Sequence, residues 1–102
     1  MQVSRHLHFE WDESKAILNE RKDGVTFTLA TSIFRDPSIH TMFDENHSES
    51  EERWIGLGLA SNGALLVVIH LWTETDPANV TVRIISARKA TDAEEATYRE
   101  SL

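Results

Sequence analysis

Hydrophobic residues recur along this chain with two periods, and the switches between them mark out its elements. Near the start Leu7, Phe9 and Trp11 alternate with His6, His8 and Glu10, the pattern of a short half-buried strand. Asp12 follows as an N-cap, because its carboxylate can accept from the free amides of the next turn. The helix it opens carries Ala16, Ile17 and Leu18 and stops at Gly24, a residue suited to a left-handed cap. Thr26 caps a second helix with Phe27, Ala30, Ile33 and Phe34 on one stripe. Asp36-Pro37 ends it, since the residue before proline is pushed out of the helical region. The polar stretch 38–52 holds a short strand at 39–43 and then an acidic loop. Apolar runs at 53–60 and 65–72 are joined by Ser61-Asn62-Gly63, a strong hairpin signal. A second turn at 73–79 contains Asp76-Pro77, and a β-branched strand occupies 80–87. Thr91-Asp92-Ala93-Glu94 has the form of a capping box and starts a final helix through Tyr98. The pattern predicts one α+β domain over residues 1–102: an antiparallel meander with two N-terminal helices and one C-terminal helix packed on it.

Strand parity then sorts the side chains. Leu65, Val67, Ile69 and Leu71 form a wholly apolar face and are assigned to the core, together with Ile55, Leu57 and Leu59. The opposite face carries Leu66, Val68, His70 and Trp72 beside Trp54, Gly56, Gly58 and Ala60. Glycine and alanine there leave room either for a closely packed helix or for a ligand groove. In a regular strand Arg83 and Arg88 differ in parity and point to opposite sides. They share a site only if a bulge intervenes or if Arg88 lies beyond the strand end. Either a carboxylate or a phosphate suits such an arginine, because an unpaired buried charge is costly and the planar guanidinium matches both.

Composition narrows the chemistry. The 102 residues include no cysteine, which removes disulfides, thiolate nucleophiles and thiolate metal sites. No apolar run approaches the roughly 20 residues of a membrane span, and the first residues lack a signal-peptide core, so a cytoplasmic protein is expected. The net charge of −7 opposes passive nucleic-acid binding, which depends on clustered lysine and arginine. Asp44, Glu45, Glu49, Glu51 and Glu52 concentrate much of that charge, either as a solvated loop or as a surface that docks a basic partner. His47 lies among them, where carboxylates favour its charged form. Asp44, His47 and Glu49 are metal-ligand types, but their spacing is weakly specific, and no metal or cofactor is expected.

A resemblance adds what composition does not supply. Phe9-Glu10-Trp11-Asp12, followed by Lys15, Asn19 and Lys22-Asp23-Gly24, resembles the opening of the BrnT toxin family. Phe34-x-Asp36, Asp44-x-x-His47, Glu51-Glu52-Arg53, Gly58, the string from Arg83 to Arg88, Ala90-Thr91 and Glu95-x-x-Tyr98 continue it in the family order. The resemblance runs from residue 9 to about residue 98 and rests on the ordered set, since any one string is weak. It implies a RelE-like fold and a type II toxin that cleaves RNA and inhibits translation. It also implies a BrnA-like antitoxin with a ribbon-helix-helix part, promoter DNA contacted only through that antitoxin, and a toxin–antitoxin heterotetramer. His47 is then the general acid or base, and Arg53, Arg83 and Arg88 bind the phosphate in a metal-free cleavage. Lys22 and Tyr98 are implied as weaker RNA-binding members, and His70 joins them as a histidine beside the possible groove. The alternative is a non-catalytic module of the same fold that pairs with the antitoxin in promoter control. Two departures remove potential RNA-binding charge: Asp23 stands where the family usually has histidine, and the acidic turn 73–77 stands where relatives place a basic residue. They are compatible with reduced toxicity, with altered RNA preference and with a toxin that only folds and binds its partner.

Overall fold

The computed structural model describes residues 5–47 and 51–102. Strand β1 (His6–Glu10) leads into helix α1 (Glu13–Asp23), then α2 (Phe27–Thr31), which tightens into a 3-10 turn (Ser32–Arg35). Strand β2 (His40–Phe43) and a second 3-10 turn (Glu45–His47) precede β3 (Arg53–Leu59), β4 (Leu65–Asp76), β5 (Asn79–Lys89) and helix α3 (Asp92–Glu100). The expected caps form. Asp12 accepts from the Lys15 amide, Thr26 accepts from Leu29, and Thr91 and Glu94 close a reciprocal capping box. Gly24 ends α1 at φ 70°, and Gly63 turns the β3–β4 hairpin at φ 86°.

The five strands are ordered β1-β5-β4-β3-β2. Strands β2 to β5 form the expected meander, but β1 runs parallel to β5, with Leu7 opposite Val80 and Phe9 opposite Val82. The sheet is therefore mixed rather than antiparallel throughout. Tight turns dictate antiparallel pairing only between strands that they join, and β1 is separated from β5 by the helices and three other strands.

The assignment of the core face reverses in part: of the face assigned to the core, Val67 and Leu71 are buried, but the main cluster lies on the opposite side. Leu66, Val68, Val80, Val82, Ile84 and Ala87 are buried against Val25, Phe27, Ala30 and Ile33 of the helical layer. Both faces of β4 are apolar, so its own pattern could not orient it. Strand β3 decides: a Cβ on Gly58 would stand 3.0 Å from the Ile33 Cβ, so the glycines admit the 3-10 turn at close range. Ile55, Leu57, Leu65 and Ile69 lie on the outer face and remain half-exposed.

Between Ile69 and His70 the β4–β5 register shifts. Ile69 faces Ser86 while His70 faces Ile84, leaving Ile85 as the extra residue of a bulge. Arg83 is then opposite Leu71 and Arg88 opposite Val67, so both arginines emerge on the outer face. The condition set by their spacing is met.

Candidate functional site

A row of side chains crosses one end of the outer face. Register places Arg53 of β3 beside Leu71 of β4, Leu71 beside Arg83 of β5, and Arg83 beside Glu10 of β1. With strands roughly 4.8 Å apart, the two arginine backbones are about 10 Å from one another across Leu71. Arg83 Nη1 donates to Glu10 Oε2 at 3.0 Å, in an ion pair whose side chains are 38% and 52% exposed. Such a pair contributes only about 0–1 kcal/mol, so Glu10 orients the guanidinium without burying it. The remaining N–H groups of its fork make no hydrogen bond to the described residues.

His47 belongs to the same end. The Asp44 amide donates to the Arg53 carbonyl at 2.8 Å and closes the segment that carries the 3-10 turn Glu45–His47. The imidazole Nδ1 lies 3.0 Å from Asp44 Oδ2, with the histidine side chain 64% exposed. An ionised carboxylate only accepts, so Nδ1 donates to it, and in the neutral ring Nε2 then carries the lone pair. A histidine held in this tautomer is equipped to take a proton.

Lys22 and Arg88 meet elsewhere. They line a groove of about 390 Å³ between α1 and β5, with Lys15 and Ser86 on its walls. Asn19 builds that groove by acting as a strand substitute. Its Nδ2 donates to the Ala87 carbonyl at 2.8 Å and its Oδ1 accepts from the Ala87 amide at 3.1 Å. Both terminal nitrogens of Arg88 are committed to Glu94, at 2.7 and 2.9 Å, and Glu94 also caps the Thr91 amide. The Arg88 hydrogen bonds are the main reason that the Glu94 carboxyl is held down at about 2, against its burial. Asp23 adds negative charge beside Arg88. Five residues of strand separate Arg83 from Arg88, roughly 16 Å, so the groove is a second cationic feature rather than part of the first.

The other two expected residues are placed apart from both. His70 is 1% exposed on the helix-side face, where Nδ1 donates to the Val68 carbonyl at 3.2 Å and the ring stands edge-on to Phe34. Burial pushes its pKa down, with the Val68 hydrogen bond acting the other way. Tyr98 is buried under α3 and donates its hydroxyl to Asp36 Oδ2 at 2.6 Å, while Asp36 also accepts from the Leu59 and Ser38 amides. Burial raises the Asp36 pKa, but these hydrogen bonds and nearby His40 outweigh it and leave the carboxyl below its ordinary value.

Arg53 and Arg83 thus share one row, His47 sits in the turn whose Asp44 amide is bonded to Arg53, Lys22 and Arg88 form their own groove, and His70 and Tyr98 point away from each. Glu10 was missed as a site residue, although it lies inside the Phe9-Glu10-Trp11-Asp12 string. Asp44 entered the sequence reading in the acidic segment, as a metal-ligand type and in the Asp44-x-x-His47 string; its i,i+3 spacing to His47 was also the signal for an orienting carboxylate. Among the described residues no group of three or more histidine, aspartate or glutamate side chains could hold a metal ion.

No curated protein sequence matches the chain. The family model described as "Ribonuclease toxin, BrnT, of type II toxin-antitoxin system" matches residues 11–94, which include Arg53, Arg83, Arg88 and His47. A type II toxin has an antitoxin as its partner, and the outer-face cations, together with the −7 charge around them, belong to a chain of that kind. The chain is a member of the BrnT family of ribonuclease toxins.

Proposed function

We propose that the Arg53–Leu71–Arg83–Glu10 row is where this toxin binds and cleaves RNA, without a metal ion. The observation that carries the proposal is the strand register, which sets two guanidinium-bearing residues on either side of Leu71, at the end where the His47 turn closes. A phosphodiester bridging the two arginines would have its developing phosphorane charge neutralised from both sides. His47 Nε2 takes the 2′-hydroxyl proton, the 2′-oxygen bonds to phosphorus, and the bond to the 5′-oxygen breaks. The proton carried by His47 then goes to the departing 5′-oxygen, leaving a 2′,3′-cyclic phosphate and a 5′-hydroxyl. Lys22 and Arg88 are positioned to hold a neighbouring stretch of RNA backbone rather than the reacting phosphate.

The same proposal includes the biological setting. Cleavage stops translation in the cytoplasm, and the single domain pairs with a BrnA-like ribbon-helix-helix antitoxin in a heterotetramer that reaches promoter DNA through the antitoxin. Among the described residues no helix is long and apolar enough to cross a membrane. A second reading, a non-catalytic module that sequesters the antitoxin, is favoured by one observation: Arg83 and Arg88 are each already held by a carboxylate, Glu10 and Glu94.

Expression without antitoxin separates the two readings. Growth arrest with RNA fragments that end in 2′,3′-cyclic phosphate, formed equally well in EDTA, supports the nuclease. Normal growth and intact RNA in cells that hold folded protein would replace it with the binding module.

A further inference from the structure

Beyond the edge of the helical layer, the helix-side face has an open pocket of about 300 Å³ lined by Thr41, Glu52, Trp54, His70, Trp72 and Glu74. Two of the chain's three tryptophans are spent on it. Trp54 is opposite His70, and Trp72 lies two residues further along β4, so the two indoles are diagonal neighbours roughly 7 Å apart at the backbone. Phe43 stands edge-on to Trp54 and braces it. The Trp54 Nε1 is buried and makes no hydrogen bond to the described residues. At the rim the exposed Glu52 carboxylate makes no hydrogen bond or ion pair with the described residues. The other rim carboxylate, Glu74, already holds a guanidinium, that of Arg5 at 2.6 Å.

From these observations we infer that the Trp54–Trp72 pocket binds an arginine or lysine side chain of the antitoxin, with Glu52 as its counter-ion. This rests on reading the chain as a toxin with an antitoxin partner. Indole faces carry negative potential and attract cations, Arg and Lys included. The Glu52 carboxylate at the rim adds to that attraction and repels a phosphate backbone, which disfavours RNA in the same place, whereas Glu74 is already offset by Arg5. The neutral, buried His70 at the floor does not oppose a cation. Location adds a reason for the antitoxin in particular. Glu52 immediately precedes Arg53, and Trp72 immediately follows Leu71, so the pocket and the Arg53–Arg83 row occupy opposite faces of the same end of the sheet. A partner anchored in the pocket needs only to turn around the strand ends to cover the cations. The acidic residues Asp44, Glu45, Glu51 and Glu52 extend the attraction toward a basic segment.

Two measurements test this. Calorimetry of the purified toxin with its antitoxin should show affinity reduced about fivefold by Glu52→Gln and about tenfold or more by Trp72→Leu, with Trp72→Phe intermediate. The Glu52 side chain is exposed, and the substitution leaves the backbone bond from the Trp72 amide to its carbonyl in place, so it separates binding from folding. In the free chain, N-acetyl-arginine amide should quench tryptophan fluorescence at millimolar concentration, less so in Glu52→Gln, while N-acetyl-norleucine amide does not. If both variants are folded and bind antitoxin as the parent does, the pocket inference is overturned while the toxin reading stands. If adenosine monophosphate perturbs the indoles and arginine amide does not, the pocket stacks a base and the inference is likewise overturned. If the parent chain binds no antitoxin, the toxin reading fails, and an absent arginine response then removes the pocket's cation specificity as well.

Discussion

The two faces of β4 carry side chains of nearly equal hydrophobicity but are covered to different extents. On the helix side Leu66 and Val68 are fully buried beneath Ala30 and Ile33. On the outer side Leu65 and Ile69 stay half-exposed among arginines, although Val67 and Leu71 between and beside them are buried. What separates the faces is the room that their neighbours leave. Gly56 and Gly58 let a helical turn descend on one face, and the bulge at Ile85 turns Arg83 and Arg88 together onto the other. A strand's own apolar pattern says that it is buried somewhere, whereas the adjoining strands say on which side.

The largest effect expected is on folding. Leu66→Ala removes a fully buried side chain and should cost about 3 kcal/mol, within the usual range for such cavities. Leu57→Ala, on the half-exposed outer face, should cost about 1 kcal/mol. Urea unfolding of both variants measures the difference. Equal losses would mean that something in solution covers the outer face as tightly as the helices cover the inner one.

Next in size is the effect of the outer-face cations on activity. Arg83→Ala should reduce RNA cleavage by roughly a hundredfold, as loss of a transition-state charge contact does. Stability should change by no more than about 1 kcal/mol, because the pair with Glu10 is solvent-exposed. His47→Ala should fall by a comparable factor. A folded Arg83→Ala enzyme with undiminished cleavage would remove the row from the mechanism and leave the Lys22–Arg88 groove as the place to look.

How much of this could be read in the sequence follows from the range of each signal. Caps and turns are local, so Asp12, Thr26, Gly24, the Asn62-Gly63 hairpin and the Thr91–Glu94 box are found where the residues indicate. The direction of β1 and the identity of the core face are not local. They depend on contacts across the whole chain; the first expectation was overturned and the second held only for Val67 and Leu71 among the β4 residues assigned to the core. The candidate site divides in the same manner. Arg83 and Arg88 were identified with the correct condition for sharing a face, but their carboxylate partners, Glu10 and Glu94, come from β1 and α3 and had no signature in the strand. His70 and Tyr98 are residue types common in active sites, and here packing at Phe34 and the hydroxyl bond to Asp36 account for them.

A smaller effect should appear in acid. The Glu94 carboxyl titrates at about 2 in the fold rather than at 4.5, principally because of the Arg88 hydrogen bonds. A depressed carboxyl stabilises the fold above its unfolded value, and that contribution is lost as pH falls from 4.5 toward 2. After allowance for solvent screening of a side chain that is 32% exposed, the contribution is about 1–2 kcal/mol. Arg88→Ala should flatten this part of the stability–pH curve and loosen the start of α3. An unchanged acid limb would show that the fork at Glu94 is not maintained in solution.

The mildest test concerns the helix-side face, through its one buried ionisable group facing Phe34. Burial holds His70 below its ordinary value of 6.5, so the folded chain resists a proton that the unfolded chain accepts. Stability contributed by the neutral form is complete above 6.5 and declines as pH falls through the interval between the unfolded and folded values. Each unit within that interval is worth at most about 1.4 kcal/mol. His70→Leu fills a similar volume beside Gly56 and Phe34 and removes the titration, although it gives up the hydrogen bond to Val68. Unfolding free energies measured at about pH 7.5 and about pH 5.5 should converge in the variant and diverge in the parent. Equal slopes in the parent and His70→Leu would mean that the imidazole is reached by protons without unfolding, as a solvent-open pocket between Trp54 and Trp72 would allow.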